Sequence, residues 1–361
     1  MSGIVSNNTS EGSGQIAAVQ GITTSSSDPA VDTNPSGGIG TMFVNTISCE
    51  MYVCTDSTAG SNVWKNVGEG TGTIEPWIYG GLLNGFHAGG YHTGSGSNMI
   101  SSYSFTSDGD AVDTTGNLTV TTGWPSATSN GDHTYGYRIG GWSGLDSIDR
   151  YQFGAGADAV DVGDCLTGGN HGTGNSSSTY AYTIGGSPSV VQKLSYASAT
   201  GNMAEVGTGG RGHGAYTGYS STTDGYAAGG ADGISQVDKW SFSSDADSED
   251  VGDMVNPGYG AGGHSSAING YRTGGYSTPT YYNVIEKMPF ATDTHADTTA
   301  NLSRSPDTAA SNSSTTNGYS CGGHAGGYTN VIDKFSFTSD SDADDIGNLV
   351  ESKSGLNGCG Q

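Results

Sequence analysis

Six times along this chain an aromatic residue stands three positions ahead of a Gly-Gly doublet, in FHAGG, YRIGG, YTIGG, YAAGG, YRTGG and YSCGG. The doublets begin at Gly89, Gly140, Gly185, Gly229, Gly274 and Gly322, at intervals of 44 to 51 residues. Self-similarity at such a period means a repeated supersecondary unit that cannot bury its own apolar face and must stack on its neighbours. No other feature restricts the fold as much.

After each doublet and a connection of variable length comes an alternating segment: MISSYSF from Met99, SIDRYQF from Ser147, VVQKLSY from Val190, QVDKWSF from Gln236, VIEKMPF from Val284 and VIDKFSF from Val331. Period-two alternation with β-branched and aromatic residues predicts a strand. A turn rich in Asp, Ser and Gly follows, then a short segment ending in Leu or Met, such as EDVGDM to Met254 or ADDIGNL to Leu349, which completes a hairpin. One small-residue segment precedes each doublet from the second onward, so a repeat holds four short strands. Six four-stranded units without helical periodicity predict an all-β chain with radial repetition around a channel, a six-bladed β-propeller. The first doublet lacks its preceding strand, whereas the tail VESKSGLNGCGQ resembles one. The C-terminus is therefore expected to supply the innermost strand of the first blade.

Composition read alone points to disorder: 63 Gly and 9 Pro in 361 residues, 53 Val, Ile, Leu and Phe, and a net charge of −24. The repeat changes that reading for residues 76–361. There glycine permits close backbone approach near a crowded axis, and 19 of the 20 Tyr supply side chains to fill the space between blades. Residues 1–38, rich in Ser, Thr, Asn and Gly without periodicity, are expected to form an extended arm. Residues 39–75 hold strand-like pieces at Met42 to Asn45, Glu50 to Thr55 and Val63 to Val67. A three-stranded meander of that size is too small for a core of its own and should dock on a partner, on the propeller or on copies of itself.

The negative charge repels phosphate, so nucleic acid is not an expected partner. Residues 1–25 carry no Lys or Arg and no apolar run of signal-peptide length, and no segment approaches about 18 consecutive apolar residues. The expectation is synthesis in the cytoplasm without membrane insertion. Cys49, Cys54, Cys165, Cys321 and Cys359 follow no zinc spacing and are expected as buried thiols.

The hydrophobic-Gly-Gly strand end, followed after a variable loop by an alternating strand, resembles the kelch repeat, whose members form β-propellers. The resemblance covers residues 76–361. It departs from the kelch pattern in lacking regularly spaced Tyr and Trp after the doublet, where only Trp240 falls in the strand. The form DKFSFTSDSDADDIGNL at residues 333–349 resembles kelch-like proteins encoded by tailed, especially marine, bacteriophages. Residues 39–68 and the opening MSGIV resemble short modules of phage tail and fibre proteins. The resemblance implies a virion protein, made in the host cytoplasm, whose N-terminal region contacts other virion proteins while the propeller recognises the host surface.

Three sets of residues invite chemistry. Acidic turns carry Asp108, Asp110 and Asp113; Asp245, Asp247 and Asp250; and Asp340, Asp342 and Asp344. The spacing offers oxygens of the kind Ca²⁺ takes, but Asp345 stands where a calcium loop needs Gly, and hydrogen bonding within hairpin turns is the favoured reading. Arg150, Lys193, Lys239, Lys287 and Lys334 share one position in the third strands, and each is expected to pair with a turn Asp or a carbonyl of its own or the adjacent blade. The eight histidines (His87, His92, His133, His171, His213, His264, His295 and His324) fall at unrelated offsets, and no nucleophile elbow, HExxH or P-loop occurs. A non-enzymatic role is expected, with galactose-oxidase-like copper-radical chemistry as one alternative and a purely structural head or tail component as another. No cofactor is required by the first reading. Binding is expected on the variable loops, through Tyr91, His92, Trp142, Tyr276, Tyr281, Tyr282, His324 and Tyr328, whose aromatic faces suit the C–H faces of saccharides.

Overall fold

The computed structural model describes residues 22–68, 80–166, 173–185, 189–198, 200–210, 217–230, 233–294 and 296–361. Strand is the dominant element, and no α-helix occurs among the described residues. Two compact units divide the chain, Met1–Trp77 and Ile78–Gln361.

The first unit contains a four-stranded sheet in the order Thr23–Ser25, Met42–Asn45, Met51–Asp56, Val63–Asn66. Its first strand runs parallel to the second, pairing Thr23 with Phe43 and Ser25 with Asn45. This corrects two expectations. The module has four strands rather than three, and the stretch expected as an arm joins it from residue 22. Asn45 Nδ2 donates to Asp28 at 2.8 Å and Asn62 Nδ2 to the Val31 carbonyl at 2.8 Å, tying that stretch down. Residues 1–21 of the expected arm lie outside the described residues. Phe43, Tyr52, Cys54 and Trp64 give the module a small core of its own, with the Phe43 and Trp64 rings edge to face at 5.6 Å. Cys54 is buried there, as are Cys165, Cys321 and Cys359 in the second unit, but Cys49 is exposed. It sits at the turn between two strands with φ 62°, not within a strand as an alternating pattern requires.

The second unit is a succession of antiparallel sheets of four principal strands, with one further two-stranded sheet formed by Tyr276–Ser277 and Thr280–Tyr281. Sheet 1 orders Asn357–Gly360, Asn84–Ala88, Ser95–Ser104 and Val112–Thr122, with Tyr91–His92 folded back on the third strand. The last strand of the chain thus pairs with the first strand of the unit, Asn357 opposite Ala88 and Gly360 opposite Gly85. Sheet 2 comprises Ser126–Ser129, Tyr135–Gly141, Leu145–Gln152 and Val160–Asp164. Sheet 3 follows with Thr173–Ser176, Tyr180–Gly185, Val190–Ser195 and Ala204–Thr208, and sheet 4 with Thr217–Ser220, Asp224–Ala228, Gln236–Ser241 and Glu249–Asp253. Sheet 5 holds Gly262–Ser265, Asn269–Thr273, Val284–Pro289 and Asp297–Asn301; sheet 6 holds Ala310–Ser313, Asn317–Cys321, Val331–Ser336 and Asp344–Asn348. The architecture is all-β and consistent with a β-propeller.

First strands of successive sheets lie side by side, and Asn357–Gly360 neighbours both Ala310–Ser313 and Ser126–Ser129. Small residues make that approach feasible: a Cβ on Gly174 would fall 1.9 Å from the Ala127 carbonyl oxygen. Side-chain amides bridge the same gaps, Asn312 Nδ2 to the Cys359 carbonyl at 2.7 Å and Asn357 Nδ2 to the Ser126 carbonyl at 2.9 Å. Farther out, apolar clusters fill the space between neighbouring sheets. Tyr182, Ile184 and Val191 of sheet 3 meet Ala227 and Trp240 of sheet 4, and Tyr103 of sheet 1 meets Tyr319, Cys321 and Ile332 of sheet 6. The doublets end the second strands: Gly89, Gly140, Gly229, Gly274 and Gly322 take φ between 63° and 73°, where a Cβ is unfavourable. Gly185, with φ 151°, departs from that group.

Candidate functional site

Antiparallel order places the turns joining first to second and third to fourth strands at one end of each sheet, the turn end, and the remaining connections at the other, the loop end. The turn end absorbs the repeated charges. Lys193 reaches Asp245 of the next sheet at 2.6 Å, Lys239 reaches Asp293 at 2.6 Å, Lys287 reaches Asp340 at 2.7 Å, and Lys334 reaches Asp108 at 2.7 Å. Two residues further on, Asp247, Asp342 and Asp110 accept main-chain N–H groups of the preceding sheet, from Thr208, Asn301 and Asn348, at 2.8 to 2.9 Å. Asp113 and Asp250 accept N–H groups of their own fourth strands from Thr115 and Gly252, and Asp344 stands opposite Lys334. The D-x-D spacing thus serves one inter-sheet ion pair and one inter-sheet hydrogen bond. Among the described residues no group of three or more His, Cys, Asp or Glu is placed to hold a metal ion. Arg150 differs from the four lysines. The turn of sheet 3, YASATGNM, has no acid, and the guanidinium lies over the Tyr135 ring, 4.8 Å from its centroid.

A second repeated position, one residue before each of those cations, was not legible as special in the sequence. Asp149, Gln192, Asp238, Glu286 and Asp333 are all buried there. Asp149 pairs with the buried Arg138 at 2.9 Å and accepts Thr119 N–H of sheet 1 at 3.0 Å. Gln192 Oε1 accepts Leu166 N–H, Glu286 accepts Asn256 N–H, and Asp333 accepts the Ser303 hydroxyl. Each of these three acceptors holds the connection that enters its own sheet. Burial pushes the Asp333 carboxyl up, opposed by the Ser303 bond and Arg304. A β-bulge immediately precedes the position in sheets 2 to 6, which strengthens local twist.

The loop end is aromatic. Tyr91 stacks on Trp124 at 5.1 Å, and Trp142 meets both edge-on at 5.7 and 5.9 Å. From Tyr91 the rings continue to Tyr328 at 6.3 Å, His324 at 5.6 Å, Tyr281 at 6.2 Å, Tyr276 at 4.5 Å and Tyr259 at 5.6 Å. His92 joins beside Tyr328 at 6.4 Å. Seven of the eight residues singled out in the sequence therefore lie in one series of rings. Tyr282 stands outside it, its N–H bonded to the Gly275 carbonyl. Trp124 and Tyr259 were missed because they precede a first strand instead of following a doublet. Trp142 is 48% exposed and the others are half-buried. Main-chain bonds hold the connections in place: Trp124 N–H to the Gly355 carbonyl, Gly355 N–H to Thr308, and Thr308 N–H to Gly260.

Within the series one carboxyl stands close to the rings. Asp307 is bridged to His324 by paired main-chain bonds, and its Oδ1 lies 3.8 Å from His324 Nδ1. Burial pushes the Asp307 carboxyl up, partly countered by His324. Burial and then the Asp307 charge push the Tyr259 and Tyr281 phenols up.

Elsewhere the options are poorer. A cavity of about 110 Å³ between the first strands is lined by Ala127, Gly174, Gly218, Gly263 and Gly358, and its lining offers neither an aromatic face nor a charged group. Buried tyrosines touch cysteines, Tyr151 Oη to Cys359 Sγ at 3.0 Å and Cys321 Sγ to Tyr103 Oη at 3.7 Å, with His87 stacked on Tyr103 at 5.3 Å. All five residues are buried between sheets, out of reach of a substrate. Burial holds His87 down to about 3 and His264 down to about 4, so both imidazoles are neutral. His171, His213 and His295 lie outside the described residues.

No protein-family model matches this sequence, and no curated protein matches it.

Proposed function

We propose that residues 78–361 form a six-bladed kelch-type propeller of a tailed-bacteriophage virion protein, that the loop end binds a saccharide of the host surface, and that the N-terminal region attaches the protein to the particle. The observation that carries the binding role is the half-exposed series of rings from Trp142 to Tyr259, drawn from sheets 1, 2, 5 and 6. Stacked sugar C–H faces suit such rings, and the adjoining polar groups suit sugar hydroxyls. The side-by-side first strands and the pairing of the C-terminal strand with Asn84–Ala88 favour a closed propeller. Burial of the Tyr, Cys and His side chains that copper-radical chemistry would need favours binding over catalysis. The full chain on an array of bacterial surface glycans, and as a competitor of phage adsorption, tests this reading. Binding that is lost in Trp142→Ala supports it; absence of both glycan binding and competition points to a purely structural virion component.

A further inference from the structure

The ring series has a definite electrostatic character. Among the described residues of the second unit, Lys193, Lys239, Lys287, Lys334 and Arg150 sit at the turn end, and Arg138 and Arg272 are fully buried. Arg304 is engaged with Asp333 and with the Ser320 and Val331 carbonyls, and Lys353 is buried and paired with Glu351 at 3.1 Å. Arg211 lies outside the described residues. Of the described cations, the Arg272 guanidinium lies close behind the rings, beneath Gly275, but it is buried and paired with Glu286 at 3.5 Å. Among the described residues no exposed ammonium or guanidinium stands beside the rings of Tyr259, Tyr276, Tyr281 and His324, and the Asp307 carboxyl adjoins them at His324. That carboxyl has few protein partners. Besides its own main-chain N–H, its contacts are Thr308 Oγ1 at 3.4 Å and the His324 imidazole at 3.8 Å, both longer than a strong charge-assisted hydrogen bond. Electron-rich ring faces beside an under-partnered carboxylate match a cation, and the net charge of −24 attracts one over distance.

Resting on the saccharide-binding reading above, we propose that Asp307, Tyr259, Tyr276 and Tyr281 form a subsite for the free ammonium group of an amino sugar, so that the ligand is a glycan carrying unacetylated amines. The ammonium donates hydrogen bonds to Asp307 while its carbon skeleton lies against Tyr276 and Tyr281. Acidic glycans are disfavoured by the same charge.

The test compares a chitohexaose with its fully de-N-acetylated counterpart, titrated into the full chain by calorimetry at physiological ionic strength. Wild-type protein should prefer the amine form by about tenfold or more, and Asp307→Asn should remove most of that preference while still binding the acetylated form. Because the variant changes the total charge by a single unit, a general attraction of polycations to an acidic protein would leave the preference intact, and that result overturns the proposal. Tyr276→Leu, at a half-exposed ring, is the second variant and should also cut the preference should Asp307→Asn melt early. Equal affinity of wild-type protein for both oligomers overturns the subsite and leaves saccharide binding standing. Failure of both to bind, together with a negative bacterial glycan array, overturns both.

Discussion

The two ends of the sheets are built from the same repeat and behave differently. At the turn end each lysine meets an aspartate of the next sheet, the same contact recurs from sheet to sheet, and the acids are occupied by it. At the loop end the connections differ in length and composition, and among the described residues the aromatic side chains they carry meet one another over sheets 1, 2, 5 and 6. The regular end holds neighbours together; the irregular end carries variable connections on a rigid scaffold, the kind of surface on which binding residues concentrate. Departure from the repeat, more than the repeat itself, marks the candidate site.

The largest expected effect breaks the frame common to both ends. Asp149→Ala leaves Arg138 buried without its carboxylate, and urea unfolding should show a loss of about 3–5 kcal/mol. A loss below 1 kcal/mol would mean that the buried position does not clamp the sheets.

Acid should weaken the same interior. His87 and His264, held down to about 3 and about 4 by burial, sit below their ordinary value near 6.5. Unfolding lets them take up protons, so their contribution is fully present above pH 6.5 and lost as pH falls through the folded values. Each should remove about 2 kcal/mol by pH 5, at about 1.4 kcal/mol per pH unit. Denaturant midpoints between pH 7.5 and 4.5 measure this, and His87→Phe, which keeps the ring against Tyr103, should flatten the profile by half.

Trp142→Ala sharpens the contrast between the ends. Its ring is about half exposed, so the change in stability should stay within about 0.5 kcal/mol while saccharide affinity falls about three- to tenfold, read by melting and by titration on the same sample. The smallest effect belongs to the turn end. Lys334→Ala removes a pair whose side chains are 28% and 54% exposed, and the expected loss is at most about 1 kcal/mol, shrinking further in high salt, with ligand binding unchanged.

Much of the second unit was legible in the sequence because its information is local. A strand announces itself by alternation over a few residues, a second-strand end by a doublet that tolerates positive φ, and a repeated cation by its place in the segments that Arg150 and Lys334 occupy. The loop aromatics were legible as residue types on variable connections. Their assembly was not, since Tyr91 and Tyr328 are far apart in the chain and meet only when sheet 1 packs on sheet 6. The acids before the cations were hidden for a related reason: a polar residue in an alternating strand reads as solvent-facing, and only the neighbouring sheet and Arg138 or Arg304 put Asp149 and Asp333 indoors. Thr23–Ser25 escaped notice because parallel pairing has no connecting turn to signal it.

The sequence by itself determined an all-β chain of four-stranded repeats, the place of its turns and the aromatic residues on its variable connections, since backbone preference and side-chain alternation act between near neighbours. Only the tertiary structure decided which acid each lysine meets, which carboxylates are buried, and that rings from four sheets form one series with Asp307 beside His324. Those contacts join residues as distant as Asp108 and Lys334, and their partners are set by how one sheet stacks on the next.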